Sequence, residues 1–169
     1  MGINSISVSN TCINLIHSII KPGSVILELG SGEGTVILAE FYTMYSIENQ
    51  PEWYDRYPIC TTYINTRTRM YDDTYLPPDI PENKGWYHTD DLIGKLPEKY
   101  DLILIDGPGG AKYGRGGFVK HIDLFNTNVP MIFDDVHREN DLMVMQKVSE
   151  IVNRPYHIHE QDKSLGYIL

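Results

Sequence analysis

The stretch Ser24-Val25-Ile26-Leu27-Glu28-Leu29-Gly30-Ser31-Gly32-Glu33-Gly34-Thr35 decides the fold. Its first half is a short apolar run, the pattern of a strand buried on both faces of a parallel sheet. The run stops at a cluster of glycines, after which Gly34 to Phe41 reads as a helix. Glycines at such a turn let backbone approach a ligand and present N–H groups at a helix start. Working outward, Met44 to Ile47 reads as a second strand ending at Glu48, which completes a compact βαβ unit. Upstream, Val8 to Ile20 places Ile13, Ile16, Ile19 and Ile20 at helical spacing, with Ser9 or Asn10 as cap and Pro22-Gly23 as stop.

Downstream, Pro51 to Tyr57 reads as a short helix, Cys60 to Thr66 as a third strand, and Arg67 to Lys84 as a long polar loop with prolines. Asp101 to Ile105 is the clearest buried strand and halts at Asp106-Gly107-Pro108-Gly109-Gly110, where the chain must turn sharply. Val129 to Phe133 repeats the pattern and halts at Asp134-Asp135. Arg138 to Val152 is helical through Leu142, Met145, Val148 and Val152. Tyr156 to His159 and Leu165 to Leu169, separated by Gln161-Asp162-Lys163, close the chain as an antiparallel hairpin. Strands alternating with helices predict a doubly wound α/β sandwich with ligands at the carboxyl ends of its strands.

At 169 residues, with no repeat, charge block or linker, Met1 to Leu169 is expected to form a single domain. Hydrophobic residues at 41% and charged residues at 22% exclude a disordered chain or a coiled coil. The only cysteines, Cys12 and Cys60, have no C-x-x-C spacing and support neither a disulfide framework nor a cysteine zinc site. No apolar run suits a membrane span and Met1 to Asn10 has no signal-peptide pattern, so a cytoplasmic protein without a membrane partner is expected. Lys and Arg number 14 against 23 Asp and Glu, a net charge of −9 that repels nucleic-acid phosphates and anionic lipid. The one basic and aromatic stretch, Arg67 and Arg69 with Tyr63, Tyr71 and Tyr75, runs at once into Asp72 and Asp73 and makes no phosphate track.

The glycine cluster departs from the dinucleotide fingerprint G-x-G-x-x-G, because counting from Gly30 and Gly32 puts Thr35 where the third glycine belongs. Its acidic-x-G-x-G-x-G pattern, Glu28 to Gly34, instead resembles the first motif of the class I S-adenosylmethionine-dependent methyltransferases. Glu48, 18 positions after Gly30, fits the acidic residue that bonds ribose hydroxyls in either nucleotide reading. Tyr100-Asp101-Leu102-Ile103-Leu104-Ile105-Asp106-Gly107 is similar to the fourth-strand motif of the same family, and the terminal hairpin stands where that fold carries a reversed strand. Within the superfamily, Ile47-Glu48-Asn49-Gln50-Pro51-Glu52-Trp53-Tyr54, Ile105-Asp106-Gly107-Pro108 and Ile132-Phe133-Asp134-Asp135 together resemble small, little-characterised bacterial and viral-type members.

The resemblance covers nearly the whole chain. It implies a Rossmann-like fold, a seven-stranded and mostly parallel sheet with one antiparallel strand near the C-terminus, and S-adenosyl-L-methionine as cofactor. Gly30, Ser31 and Gly32, with Gly34 in the same loop, would back the methionine portion. Glu28 would fix the loop and the cofactor's ammonium group, Glu48 would take the ribose, and Asn49 would touch adenine. For the acidic residue that follows the third strand, two placements compete: Thr66-Arg67 after Cys60 to Asn65, and Thr89-Asp90-Asp91 after Gly85 to His88. Asp90 is favoured, because Leu96 to Asp101 follows it at the usual separation.

Asp106 would lie beside the transferred methyl group. Displacement at a sulfonium carbon asks the protein to hold a nucleophile in line and, for a hydroxyl acceptor, to help remove its proton. Asp106, Asp134, Asp135 and His137 fall at strand ends on that edge, and two readings follow. Asp106, Asp134 and Asp135 resemble the magnesium site of catechol-type O-methyltransferases, where Mg2+ binds the acceptor oxygen, although that pattern has an amide where this chain has Asp135. Alternatively His137 acts as a metal-free general base alongside Asp106 and Asp134.

Bland readings compete with each of these. The glycine cluster could be a tight turn, which leaves Glu28, Glu48 and Asp106 in register unexplained. Asp134 could cap a helix, and His137 could be a surface residue. His88, His157 and His159 have no partners at metal-ligand spacing. Trp53, Tyr54 and Trp86 read as packing residues, with Trp53 close enough to Glu48 to cover adenine. Gly114-Arg115-Gly116-Gly117 reads as a flap over the acceptor pocket or as a flexible loop. The expected function is methyl transfer to a small-molecule acceptor at oxygen. An NAD-type oxidoreductase or epimerase, lacking the third glycine and a Tyr-x-x-x-Lys pair, and a non-catalytic binding domain are the alternatives. Asp106-Gly107-Pro108-Gly109 departs from the Asn/Asp-Pro-Pro-Tyr motif of adenine N-methyltransferases, so nucleic acid is not the expected partner.

Overall fold

A computed structural model describes residues 9–58, 61–71, 85–109, 114–159 and 164–169. Helix α1 (Asn10–Ile19) is capped by Ser9, whose Oγ accepts the Cys12 N–H at 3.2 Å. It is followed by β1 (Val25–Leu29), α2 (Glu33–Ala39), β2 (Thr43–Glu48), β3 (Thr61–Asn65), β4 (Thr68–Met70), β5 (Gly85–Tyr87) and β6 (Leu102–Ile105). Then come α3 (Gly116–Lys120), β7 (Met131–Phe133), α4 (Glu139–Val152), β8 (Tyr156–His159) and β9 (Leu165–Ile168). Seven strands form one sheet in the order β3-β2-β1-β6-β7-β9-β8, and β4 pairs with β5 in a separate antiparallel ribbon. In the main sheet only β9 is reversed, running antiparallel to β7 and β8. The fold is therefore α/β and Rossmann-like, with a mostly parallel sheet and one antiparallel strand near the C-terminus.

The Leu- and Ile-rich runs make central strands because alternate residues feed two cores, one on each face. Ile26, Leu102 and Leu104 pack with Cys12, Ile16 and Leu38 from α1 and α2. Leu27, Leu29, Ile103 and Ile105 pack with Trp86, Tyr87, Phe118, Val144 and Val148 from β5, α3 and α4. Each such aliphatic side chain, removed from water, contributes about 1.5–3 kcal/mol before entropy is counted.

Three sequence expectations change. Pro51 to Tyr57 contains only a 3-10 turn, Pro51–Trp53, and the left-handed backbone of Asp55 (φ 50°) interrupts any continuation. The polar loop begins with a strand, β4, too short to leave a periodicity in the sequence. Between β6 and β7, where strands alternating with helices imply a crossover helix, the described residues form the five-residue α3 and a 3-10 turn at Ile122–Leu124. Cys60, the remainder of that loop from 72 to 84 with Tyr75, the glycine-rich segment at 110–113 and the turn at 161–163 lie outside the described residues. Among the described residues no helix is long and apolar enough to cross a membrane.

Candidate functional site

Strand order reverses between β1 and β6, the point where an open α/β sheet takes its ligand, in the crevice at the strands' carboxyl ends. There Gly30 and Gly107 nearly touch. A Cβ at Gly30 (φ 87°) would lie 3.0 Å from Gly107 Cα; one at Gly107 would lie 2.8 Å from Gly30 Cα and 2.4 Å from Tyr87 Oη. Any side chain would drive the two strand ends apart.

The loop after β1 is pinned from behind by Glu28. Gly32 N–H donates to Thr35 Oγ1 (2.9 Å), the Thr35 hydroxyl donates to Glu28 Oε2 (2.9 Å), and the Ser46 hydroxyl donates to the same oxygen (2.5 Å). Glu28 is 1% exposed, and burial pushes its carboxyl up from 4.5 to about 8 against the opposing pull of those hydroxyls. Gly34 is buried in the first turn of α2. At the tip of β2, Glu48 Oε2 accepts the N–H and the hydroxyl of Ser31, both at 2.8 Å. Its Oε1 accepts the N–H groups of Asn49 (2.7 Å) and Gln50 (2.8 Å). These bonds occupy the four acceptor positions of a carboxylate. Trp53 stacks beneath the Arg56 guanidinium, 4.3 Å from its ring centre.

The two placements proposed for the third-strand acid converge in space. The strand of the main sheet is β3, ending before Thr66, whereas Gly85–Tyr87 belongs to the ribbon and so ends no strand beside β2. Arg67 donates from its backbone N–H and Nε to Asp91 Oδ2, both at 3.0 Å, and from Nη2 to Oδ1 at 2.9 Å. These bonds hold the Asp91 carboxyl well below its usual range. Asp90 has a 78% exposed side chain and lies 3.9 Å from His88 Nδ1.

At the acceptor end, Asp106 follows β6 and Asp134 and Asp135 follow β7. Each offers a carboxylate oxygen, and the three oxygens lie within 4.8 Å of one another. Sequence reasoning did not find what holds them, which is Arg115. This side chain is 4% exposed, and its Nη2 donates to the Asp106 carbonyl (2.9 Å), Asp106 Oδ1 (3.1 Å) and Asp135 Oδ2 (3.2 Å). Its Nη1 donates to the Asp134 carbonyl, and its Nε lies 3.7 Å from Asp141 Oδ1. Arg138, half in solvent, approaches Asp135 Oδ2 at 3.0 Å. Burial pushes the Asp141 carboxyl up, opposed by Arg115 and Arg138. Asp135 takes a left-handed backbone (φ 60°), uncommon outside glycine, that aims its carboxylate at both arginines. His137 is exposed just beyond this cluster.

Tyr87 was also missed. Its ring is fully buried, and its hydroxyl has no hydrogen-bond partner among the described residues. Burial, then the nearby Glu48 charge, pushes that hydroxyl's pKa up. The one available signal for Arg115 is its place between glycines: Gly117 has no room for a side chain, since a Cβ there would lie 2.1 Å from Trp86 Cγ.

No family model matches the chain, and no curated protein matches it in sequence. Solved structures do match in shape. A methyltransferase from Pyrococcus furiosus aligns over 99% of this chain and 86% of its own, with TM-score 0.59 and 14% identity. A protein assigned as a caffeoyl-CoA O-methyltransferase from Staphylococcus aureus aligns over 98% and 86%, with TM-score 0.56 and 14% identity. One assigned as a methyltransferase from Pseudomonas syringae aligns over 92% and 94%, with TM-score 0.53 and 14% identity. At that identity the matches speak to architecture, and the architecture of this chain is a methyltransferase fold.

Proposed function

We propose that the chain is a cytoplasmic S-adenosylmethionine-dependent methyltransferase that acts on a small-molecule acceptor, at oxygen. The observation that carries this reading is the crevice between β1 and β6. There Gly30 and Gly107 let the two strand ends meet backbone to backbone, and Glu48 is tied to the glycine loop through both donors of Ser31. The residues fit an adenosyl ligand on two counts: the buried Glu48 carboxylate at the tip of β2, and the unpartnered Tyr87 hydroxyl beside Gly107. Glu48 would take the ribose hydroxyls, and Gly30, Ser31 and Gly32 would lie along the amino-acid portion. Glu28 and Gly34 would keep the loop in shape, Asn49 and Asp90 would stand at the adenine end, and Asp106 at the reacting end.

The cofactor, when bound, supplies a methyl group on a positively charged sulfur. The chain's own work is then to hold the acceptor oxygen in line, exclude water and take a proton. Asp106, with a 25% exposed side chain beside the crevice, is the accessible carboxylate for that proton. Asp134 is buried and fixes the turn through its Oδ1, which accepts the Asp135 N–H at 2.9 Å. His137 is the second candidate proton acceptor. The net charge of −9 and the sequence after Asp106 both weigh against nucleic acid as acceptor.

Calorimetric titration with S-adenosylhomocysteine tests the reading, with NAD as control ligand and Glu48→Ala as control protein. The expected result is binding of S-adenosylhomocysteine in preference to NAD, weakened by Glu48→Ala. Preference for NAD, or binding of neither, overturns the proposal.

A further inference from the structure

The carboxylates of Asp106, Asp134 and Asp135 are of the kind that hold magnesium at the end of such a crevice, and their spacing alone would allow it. Their surroundings do not fit a divalent ion. Magnesium requires near-octahedral oxygen ligands at about 2.0–2.1 Å. The oxygens that would have to turn to it are already aimed at a guanidinium: Asp106 Oδ1 and Asp135 Oδ2 lie 3.1 and 3.2 Å from Arg115 Nη2. The two nearest carbonyls, of Asp106 and Asp134, accept from the same side chain. Arg138 covers Asp135 Oδ2 from the outside at 3.0 Å. A guanidinium stays charged at any working pH, so an ion bound by Asp106 and Asp135 would press against a fixed positive charge.

We infer that Arg115 is the resident cation of this acidic site and that the chain binds no divalent metal there. Arg115 is 4% exposed, and swinging it out would strip Asp106, Asp135 and Asp141 of the cation they share, leaving Arg138 beside Asp135 and Asp141. A buried charge network stripped of its central cation is strongly disfavoured. The guanidinium also ties three separate pieces together: the end of β6, the end of β7 and the first turn of α4. One consequence concerns the acceptor and rests on the methyltransferase reading. Arg115 is 4% exposed and its Nη1, Nη2 and Nε are all turned onto protein oxygens, so it does not stand in for a metal that chelates a vicinal diol, and the acceptor is held through a single reacting hydroxyl.

The test uses Mn2+ as probe, read by the loss of the free-ion electron paramagnetic resonance signal, which is independent of any methyl transfer or cofactor binding. Wild-type protein is expected to show no saturable Mn2+ binding that Asp135→Asn removes. Arg115→Met, which vacates the cluster, is expected to gain such a site, at least about tenfold tighter than anything on the wild type, and to lose it again with Asp135→Asn. Saturable binding to the wild type that Asp135→Asn abolishes overturns the inference. So does a folded Arg115→Met protein that gains no site. If Arg115→Met does not fold, the wild-type pair alone decides. Failure of S-adenosylhomocysteine to bind would count against the methyltransferase reading and leave the cation assignment standing.

Discussion

Replacing Glu28 by Gln isolates the buried carboxyl that pins the glycine loop. The folded chain holds the Glu28 proton up to about pH 8, whereas an unfolded glutamate releases it near 4.5. Between those values the folded state binds more protons than the unfolded one, so stability falls as pH rises through the window. The slope is about 1.4 kcal/mol per pH unit, which over the full window amounts to about 5 kcal/mol. Below 4.5 both states are neutral at this position and above 8 both are charged, so the slope vanishes outside the window. Gln carries no titration, while its amide can still meet Thr35 and Ser46. The other carboxylates titrate alike in both proteins and cancel in the difference. Urea unfolding of both proteins, followed by tryptophan fluorescence at pH steps between 4.5 and 8, should therefore show Glu28→Gln gaining about 5 kcal/mol on the wild type across the range. Parallel stability curves would refute the account of how the loop is held.

Two further outcomes follow from close contacts. Gly107→Ala should lose about 1–3 kcal/mol of stability through overpacking, and S-adenosylhomocysteine binding with it. Adding Tyr87→Phe should not restore either, because the Gly30 backbone still blocks the new Cβ at 2.8 Å; full binding by Gly107→Ala in calorimetry would contradict the crevice geometry. His121 bonds Tyr71 Oη at 2.7 Å and stacks on Trp86, and burial, then Lys120 and Arg69, hold its pKa below 6.5. A depressed folded pKa means stability present above 6.5 that is lost as pH falls, so His121→Asn should flatten that acid limb, and an NMR midpoint for His121 at or above 6.5 would be inconsistent with its surroundings.

The parts of the fold legible in the sequence are those that physics makes periodic or punctuated. β1, β6 and β7 announce themselves because both faces of a central strand are apolar, and each is stopped by glycine or aspartate. Glu28, Gly30, Glu48 and Asp106 could be placed because a βαβ unit fixes which residue stands at each strand end. β4 could not be seen, since three residues carry no period and its existence depends on pairing with β5 across the long loop. The choice between the Thr66 and Asp90 corners likewise turned on which segment pairs with β2, a long-range fact. Arg115 reaches Asp106, and Asp141 reaches Arg115, only through the packing of α3 and α4 against the sheet edge. A glycine-flanked arginine therefore read as a flap residue when it is the most enclosed cation of the site.

The bonds from Ser31 to Glu48 give the crevice an internal competitor. A ligand hydroxyl reaching Oε2 displaces a donor that is already tethered at high effective concentration, so the exchange of one hydrogen bond for another yields little affinity, on the order of 1 kcal/mol or less. What it yields is discrimination. Ser31 places two donors on one carboxylate oxygen, and a cis-diol offers two in return, so the account balances for a ribose. A sugar with a single hydroxyl at that position would leave a buried lone pair of Glu48 unanswered, and such unpaired groups cost more than matched ones gain. On the proposed reading, Ser31 would be the reference against which an incoming sugar is compared, since it already answers the Glu48 oxygen with two donors.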